Sequence, residues 1–375
     1  MKGLAILGST GSIGRQTLEI LRLFPDHFSV VGLSGWRNLS LLKEQAQEFK
    51  PRLVCFDDPD HQVATKDLAP ATKVTMEEMV CHPKVDVVVM AVAGPAGLLP
   101  TLRALRAGKV VALASKEALV MAGQLIAREV DAGATILPVD SEASAIWQCL
   151  RGEEQEVARL IITASGGPFR TRPPQELATV TPEEALSHPT WRMGKKITVD
   201  SATLMNKAFE VIEAHWLFRV PWEKIEVVVH PQSIVHSLVE LQDGSMKAQM
   251  ANPDMRLPLQ YALFYPRRVS SPWLQPLDIA KVGALRFEPM DKGRYPCFSV
   301  AMDAARAGGT YPAALCAADE VAVDRFLAGK LGFTEIPRLV EKVVSEHSSG
   351  DASSLDDVVA ADAWARSRAK ELAGA

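Results

Sequence analysis

The chain opens on a recurring exchange of apolar runs and amphipathic stretches. Leu4–Leu7, Ser29–Leu33, Leu53–Phe56, Val85–Val92 and Val110–Ala114 are apolar with little polar alternation. Strands of that kind are buried on both faces, as in a parallel sheet covered by helices. Between them, Ile13–Leu23, Leu39–Glu48 and Leu98–Ala107 repeat apolar residues at helical spacing. Strand and helix alternating at these intervals predict an α/β fold whose first part is a Rossmann-like, doubly wound domain.

After about residue 150 the pattern changes. Leu160–Thr163, Ile225–Val229 and Ile234–Leu241 are strand candidates, separated by a Pro-rich stretch at Arg172–Gln175 and a polar one at His188–Lys196. This mixture predicts an α+β domain. Pro and Ser cluster over Pro266–Pro276, which reads as a linker. Beyond it Phe298–Ala307, Pro312–Leu327, Ile336–Glu346 and Leu355–Leu372 have helical spacing, with Ser354 and Asp357 placed to cap the last. The expected division is 1–149 for the doubly wound domain, 150–264 for the α+β domain, 265–289 for the linker and 290–375 for a C-terminal helical bundle.

Composition narrows the class of function. Hydrophobic residues at 47% suffice for a sizeable core, and a formal charge of −4 argues against nucleic-acid binding through overall charge. A local anion site needs only a few donors and remains open. No apolar run approaches the roughly 20 residues of a membrane span, and no targeting leader is expected from the N-terminal pattern. The cysteines (Cys55, Cys81, Cys149, Cys297, Cys316) form no CxxC pair, which suits reduced thiols in a cytoplasmic protein. Neither a membrane nor a nucleic-acid partner is expected.

The first candidate chemistry lies at Gly8-Ser-Thr-Gly11-Ser-Ile-Gly14, between the first strand and the first helix. Glycines there permit a tight turn and let a pyrophosphate approach the backbone, while the helix N-terminus offers free N–H groups. The spacing is GxxGxxG, and alone it also fits an ordinary strand–helix turn. At the end of the second strand, Ser34-Gly35-Trp36-Arg37-Asn38 holds no acid for a ribose 2′-hydroxyl. Arg37 can instead pair with a 2′-phosphate, which favours NADPH over NADH.

Five further strings carry polar chemistry. In Asp140-Ser141-Glu142, two carboxylates two apart in an extended chain face one point, where a cation can separate them. An all-oxygen set favours Mg²⁺ or Mn²⁺ over zinc. Asn206, Lys207 and Glu210 share a helical face. Ala164-Ser165-Gly166-Gly167 offers a hydroxyl and backbone N–H groups as a phosphate cradle. His188-Pro-Thr-Trp191-Arg-Met-Gly194 carries one large aromatic on a polar segment, a pattern suited to a lid with Gly194 as a hinge. His230-Pro-Gln-Ser-Ile-Val-His236 sets two histidines after a buried strand. Each string alone also fits a solvated turn, a surface helix or a satisfied core residue.

Their order along the chain is more specific. GSTGSIG (8–14), SKEALV (115–120), DSE (140–142), ASGGPF (164–169), HPTWRMG (188–194), VDSATLMNK (199–207) and HPQSIVHS (230–237) together resemble the 1-deoxy-D-xylulose 5-phosphate reductoisomerase family, and PAALCAADEVAV (312–323) continues the likeness. The resemblance implies an enzyme that isomerises and reduces a phosphosugar with NADPH and Mg²⁺ or Mn²⁺, and that forms a homodimer. By that resemblance Asp140, Glu142 and Glu210 hold the cation, and Lys207, Glu142 and Glu210 carry the catalysis. Ser141, Ser165, His188, Trp191, Ser201, Asn206, Lys207 and His230 contact the substrate. Gly8, Thr10, Gly11, Ser12, Ile13, Gly35, Arg37, Asn38, Ser115, Lys116, Glu117 and Gly194 surround the cofactor. A plain NADP-dependent dehydrogenase would explain the glycine loop and Arg37 but give the three acids no task. An NADPH-binding sensor without chemistry would have no need of the acids and the lysine.

Overall fold

The computed structural model describes residues 1–57, 68, 70–153 and 156–374. By contact the chain divides into two compact units, one of residues 1–118, 126–144 and 254–274, the other of 119–125, 145–253 and 275–375.

The first unit is built on seven strands: β1 (Lys2–Leu7), β2 (Phe28–Ser34), β3 (Leu53–Cys55), β4 (Thr72–Lys73), β5 (Val87–Met90), β6 (Val110–Leu113) and β7 (Ile136–Pro138). Their order is β4-β3-β2-β1-β5-β6-β7. Every neighbouring pair is parallel. The central strands read as unbroken apolar runs because helices cover both faces, and Leu4, Ile6, Leu7, Val88, Val89 and Val111 are wholly buried. The strand order reverses between β1 and β5, so the crevice at their C-terminal ends is the switch point where such sheets bind ligands. β4 is a two-residue exposed edge strand with no apolar pattern, and the periodicity did not predict it. Helix Arg256–Phe264 also belongs to this unit. Phe264 packs edge-on against Phe24 and Phe28, with ring centroids 4.6 and 5.0 Å apart. The sequence division places that helix with the α+β segment.

The second unit holds a mixed sheet of β8 (Val157–Ala164), β9 (Ile225–Val229), β10 (Val235–Leu241), β11 (Met246–Met250) and β12 (Glu288–Pro289), in the order β11-β10-β8-β9-β12. β8 and β9 run parallel, joined by a crossover containing helices Lys195–Thr203 and Met205–Phe218; the other pairs are antiparallel. The C-terminal helices Pro296–Ala307, Tyr311–Leu327, Ile336–Glu346 and Leu355–Leu372 follow the apolar periodicity closely. Ser354 caps the last by accepting from the Asp357 backbone N–H. No helix among the described residues is long and apolar enough to cross a membrane, and no disulfide joins the described cysteines.

Candidate functional site

In the first unit, β1 ends in a turn that only glycine allows. Gly8 has φ +84°, and a Cβ there would lie 2.5 Å from the Ala91 carbonyl oxygen. At Gly14 a Cβ would lie 2.4 Å from the Gly8 oxygen, so the helix Ser12–Leu23 presses on the turn. No described side chain caps that helix at Gly11, and its first turn holds no acid. Its first N–H groups and partial positive charge are thus available to an anion. Gly8 N–H donates to Ser34 Oγ at 2.9 Å, tying the loop to the end of β2. Ser9 Oγ donates to Gln45 Oε1 at 2.7 Å, and Gln45 Nε2 returns a bond to the Ser9 carbonyl at 3.0 Å. Gly35 lies against Thr10, Arg37 is exposed beside it, and Asn38 caps helix Leu39–Phe49. Gly14→Ala is expected to weaken dinucleotide binding by about tenfold or more, because overpacking costs about 1–3 kcal/mol. A fluorescence titration that returns unchanged affinity would contradict that role for the close approach.

After β6, Ser115 and Lys116 are buried, and Lys116 Nζ lies 2.5 Å from Asp140 Oδ2. Asp140 is not in an extended strand as the spacing argument assumed. It sits directly before helix Ser141–Leu150, its Oδ1 accepting from Ser141 N–H and its carbonyl from Ser144 N–H. An acid with free acceptors suits that capping position, which is why the helix starts there. Glu142 then falls in the first helical turn, where its charge is favourable. Asp140 and Glu142 still bring carboxylate oxygens within 4.8 Å of each other. Ser141 Oγ is hydrogen-bonded to Glu142.

In the second unit, β8 runs into Ser165-Gly166-Gly167, where Gly166 and Gly167 have φ +85° and +70°. A Cβ on Gly167 would lie 2.6 Å from the Ser201 carbonyl, so the turn rests directly on the end of helix Lys195–Thr203. Leu204 then adopts a left-handed conformation (φ +56°) that breaks one helix and starts the next at Met205. A non-glycine residue held there costs of order 1 kcal/mol, and such strain concentrates at functional sites. The break sets Asn206, Lys207 and Glu210 on the first turns of helix Met205–Phe218. Lys207 and Glu210 are almost fully buried, and the two pair directly. Lys207 Nζ also donates to the Thr163 carbonyl at 2.6 Å, and Asn206 Nδ2 to Glu210 Oε1 at 2.6 Å. The shared helical face read from the spacing is present.

His188 and Trp191 lie on the irregular segment between Ser187 and Gly194, which precedes helix Lys195–Thr203. His188 Nδ1 accepts from the backbone N–H of Thr190 and Trp191 at 3.1 and 2.9 Å. The neutral ring therefore carries its proton on Nε2, which meets Ser165 Oγ at 3.0 Å. Burial, and then the nearby Lys207 charge, bring its pKa down from 6.5 to about 4. The unfolded chain thus binds a proton that the native state refuses between those values, so this site's stability is full above pH 6.5 and is lost as pH falls toward 4. His188→Gln is expected to flatten the fall of Tm over that window, and equal slopes in the two proteins would contradict it.

The structure also places His230 and Gly194. His230 is wholly buried and stacked on Phe287. Its Nδ1 lies 2.7 Å from the Arg286 carbonyl, and its Nε2 accepts from the Ile234 and Val235 backbone N–H groups. Its polar atoms are committed to holding the 230–235 turn. Gly194, grouped with the cofactor residues by resemblance, is the N-cap of helix Lys195–Thr203 in the second unit. The sequence reading also missed Lys196, whose Nζ lies 2.5 Å from both Asp200 and Asp319. Its i,i+4 spacing to Asp200 was the available signal; Asp319 lies over a hundred residues away.

Family models match most of the chain. One described as 1-deoxy-D-xylulose 5-phosphate reductoisomerase matches residues 4–123, its C-terminal domain matches 136–218, and a DXP reductoisomerase C-terminal domain matches 250–368. The 1-deoxy-D-xylulose 5-phosphate reductoisomerase of Thermomicrobium roseum is 50% identical over 382 residues, covering 99% of this chain and 98% of its own. That of Geobacillus kaustophilus is 49% identical, covering 99% of this chain and all of its own. Among solved structures, the enzyme from Zymomonas mobilis in complex with NADPH superposes with a TM-score of 0.92 at 42% identity, over 100% of this chain and 99% of that one. A DOX-P reductoisomerase in complex with NADPH, fosmidomycin and magnesium superposes at 0.94 and 38% identity, over 100% and 98%.

Proposed function

This chain belongs to the 1-deoxy-D-xylulose 5-phosphate reductoisomerase family, and from that premise we propose which of its residues carry the reaction. The enzyme converts 1-deoxy-D-xylulose 5-phosphate into 2-C-methyl-D-erythritol 4-phosphate, using NADPH and a divalent metal. We assign the cation to Asp140, Glu142 and Glu210, an all-oxygen set that suits Mg²⁺ or Mn²⁺. The carrying observation is that Asp140 and Glu142 bring carboxylate oxygens within 4.8 Å of each other, a pair of like charges that a cation would hold together. A plain dehydrogenase would give that pair no task. Bound there, the cation supplies Lewis acidity toward the substrate carbonyl and its neighbouring hydroxyl. NADPH supplies the hydride.

The chain's own residues do the rest. Lys207 presents a fixed ammonium to oxyanion character on the substrate. Asn206 orients Glu210, and Ser141 orients Glu142. Ser165 and Ser201 take the phosphate with the Gly167 N–H nearby, and neutral His188 donates through Nε2. Trp191 covers the substrate and excludes water. Gly8, Thr10, Gly11, Ser12, Ile13, Gly35, Arg37, Asn38, Ser115, Lys116 and Glu117 receive NADPH, Arg37 pairing with its 2′-phosphate. Gly194 is assigned to the cofactor as well, and His230 supports the substrate pocket through the turn it holds. We further read the protein as a cytoplasmic homodimer, with 1–149 as the NADPH domain, 150–264 as the catalytic domain, whose last helix Arg256–Phe264 packs within the first unit, 265–289 as a linker and 290–375 as a helical domain.

Product analysis tests this reading. NMR of the product formed with NADPH and Mn²⁺ should show a branched carbon skeleton. An unbranched, merely reduced sugar phosphate would favour the plain dehydrogenase.

A further inference from the structure

We propose that Tyr295 is a positioning residue that, with Arg294, fixes the Ser165-Gly166-Gly167 turn in the conformation that receives the substrate phosphate. The inference rests on the assignment of that turn to the phosphate. Two successive residues with φ +85° and +70° make the turn unlike any regular element, so its shape must be held from outside. Tyr295 is 5% exposed, and its hydroxyl donates to the Gly166 carbonyl at 3.0 Å. Burial raises the phenol pKa, which keeps the hydroxyl protonated and donating. Arg294 donates from one guanidinium nitrogen to the Phe169 and Arg172 carbonyls, just beyond the turn.

In a trans peptide the carbonyl and the following N–H point in opposite directions. Holding the Gly166 carbonyl therefore aims the Gly167 N–H the other way, where it donates to Ser165 Oγ at 3.2 Å. Ser165 Oγ meets His188 Nε2 at the same time. Tyr295 thus sets the direction of the Gly167 N–H and the place of the Ser165 hydroxyl without touching the ligand itself. It immediately precedes helix Pro296–Ala307, which packs on helix Met205–Phe218, so the hold comes from the unit's core.

The test is steady-state kinetics of Tyr295→Phe in the presence of Mn²⁺ and NADPH, with inorganic phosphate as a competing anion. The KM for the phosphosugar and the inhibition constant of phosphate should rise together, by about tenfold, with the KM for NADPH unchanged. A purely structural tyrosine would lower Tm or the active fraction and leave both constants alone, and that result would overturn the proposal. Arg294→Lys should move the same two constants in the same direction, and it decides the matter if Tyr295→Phe does not fold; unchanged constants there would also overturn it. Ser165→Ala separates the layers. If it leaves both constants unchanged, the phosphate assignment itself fails. If it raises them and neither brace variant does, only the role of Tyr295 and Arg294 fails.

Discussion

Glu210→Gln is expected to lose metal-dependent turnover by about a thousandfold or more while NADPH binding stays at the wild-type level. The side chain is 2% exposed, accepts from Asn206 and pairs with Lys207, so glutamine fits its space and keeps a hydrogen-bonding role. What it removes is one negative charge. A cation then has a weaker site, and Lys207 stays buried beside a neutral amide. The cofactor assignment lies with residues of the first unit, apart from Gly194, and gives no reason for NADPH affinity to change. Initial rates across a Mn²⁺ titration, with NADPH binding followed by fluorescence, read both quantities. Wild-type rates with ordinary Mn²⁺ dependence would remove Glu210 from the metal set.

Lys207→Met should lower kcat by about a hundred- to a thousandfold, the range seen when one fixed electrostatic donor is lost. It should also leave a distinctive stability pattern. Removing the ammonium strands Glu210 as a buried anion, and breaking a buried pair from one side costs about 3–5 kcal/mol. Bound Mn²⁺ would take over that compensation. The metal-free variant should therefore melt well below the wild type, and Mn²⁺ should raise its Tm by more than it raises the wild type's. Equal Mn²⁺-induced shifts in the two proteins would show that the ammonium and the cation do not share Glu210.

The first unit was the most legible part of the chain because its strands are buried on both faces. Unbroken apolar runs marked β1, β2, β3, β5 and β6, and helical spacing marked the helices Ser12–Leu23, Leu39–Phe49 and Leu98–Arg106, while the short helix Met76–Cys81 was not read. β4 and β12 escaped because two-residue strands carry no period, and β12 lies within the stretch read as linker. Lys207 and Glu210 were readable as neighbours, since residues three apart on a helix meet whatever the tertiary fold. Asp140 and Glu142 were grouped for an imperfect reason. The helix begins at Ser141, so a capping acid and a first-turn acid, not strand alternation, bring them together.

The rest of the site depends on contacts with no local signature. The bond between His188 and Ser165 spans 23 residues and that between Tyr295 and Gly166 spans 129. No periodicity connects such pairs. The left-handed turn at Leu204 was equally hidden, because that conformation normally announces itself with glycine or asparagine. The apolar pattern could not show that the C-terminus of helix Lys195–Thr203 would carry the close contact with Gly167.

The most direct test of the account is NADPH oxidation by the purified protein given 1-deoxy-D-xylulose 5-phosphate, first with Mn²⁺ and then with excess chelator. Oxidation that requires both the substrate and the metal, and that returns when Mn²⁺ is restored, is the predicted result. Oxidation that persists undiminished in chelator would contradict the metal assignment, and absence of oxidation with Mn²⁺ present and NADPH bound would contradict the reaction itself.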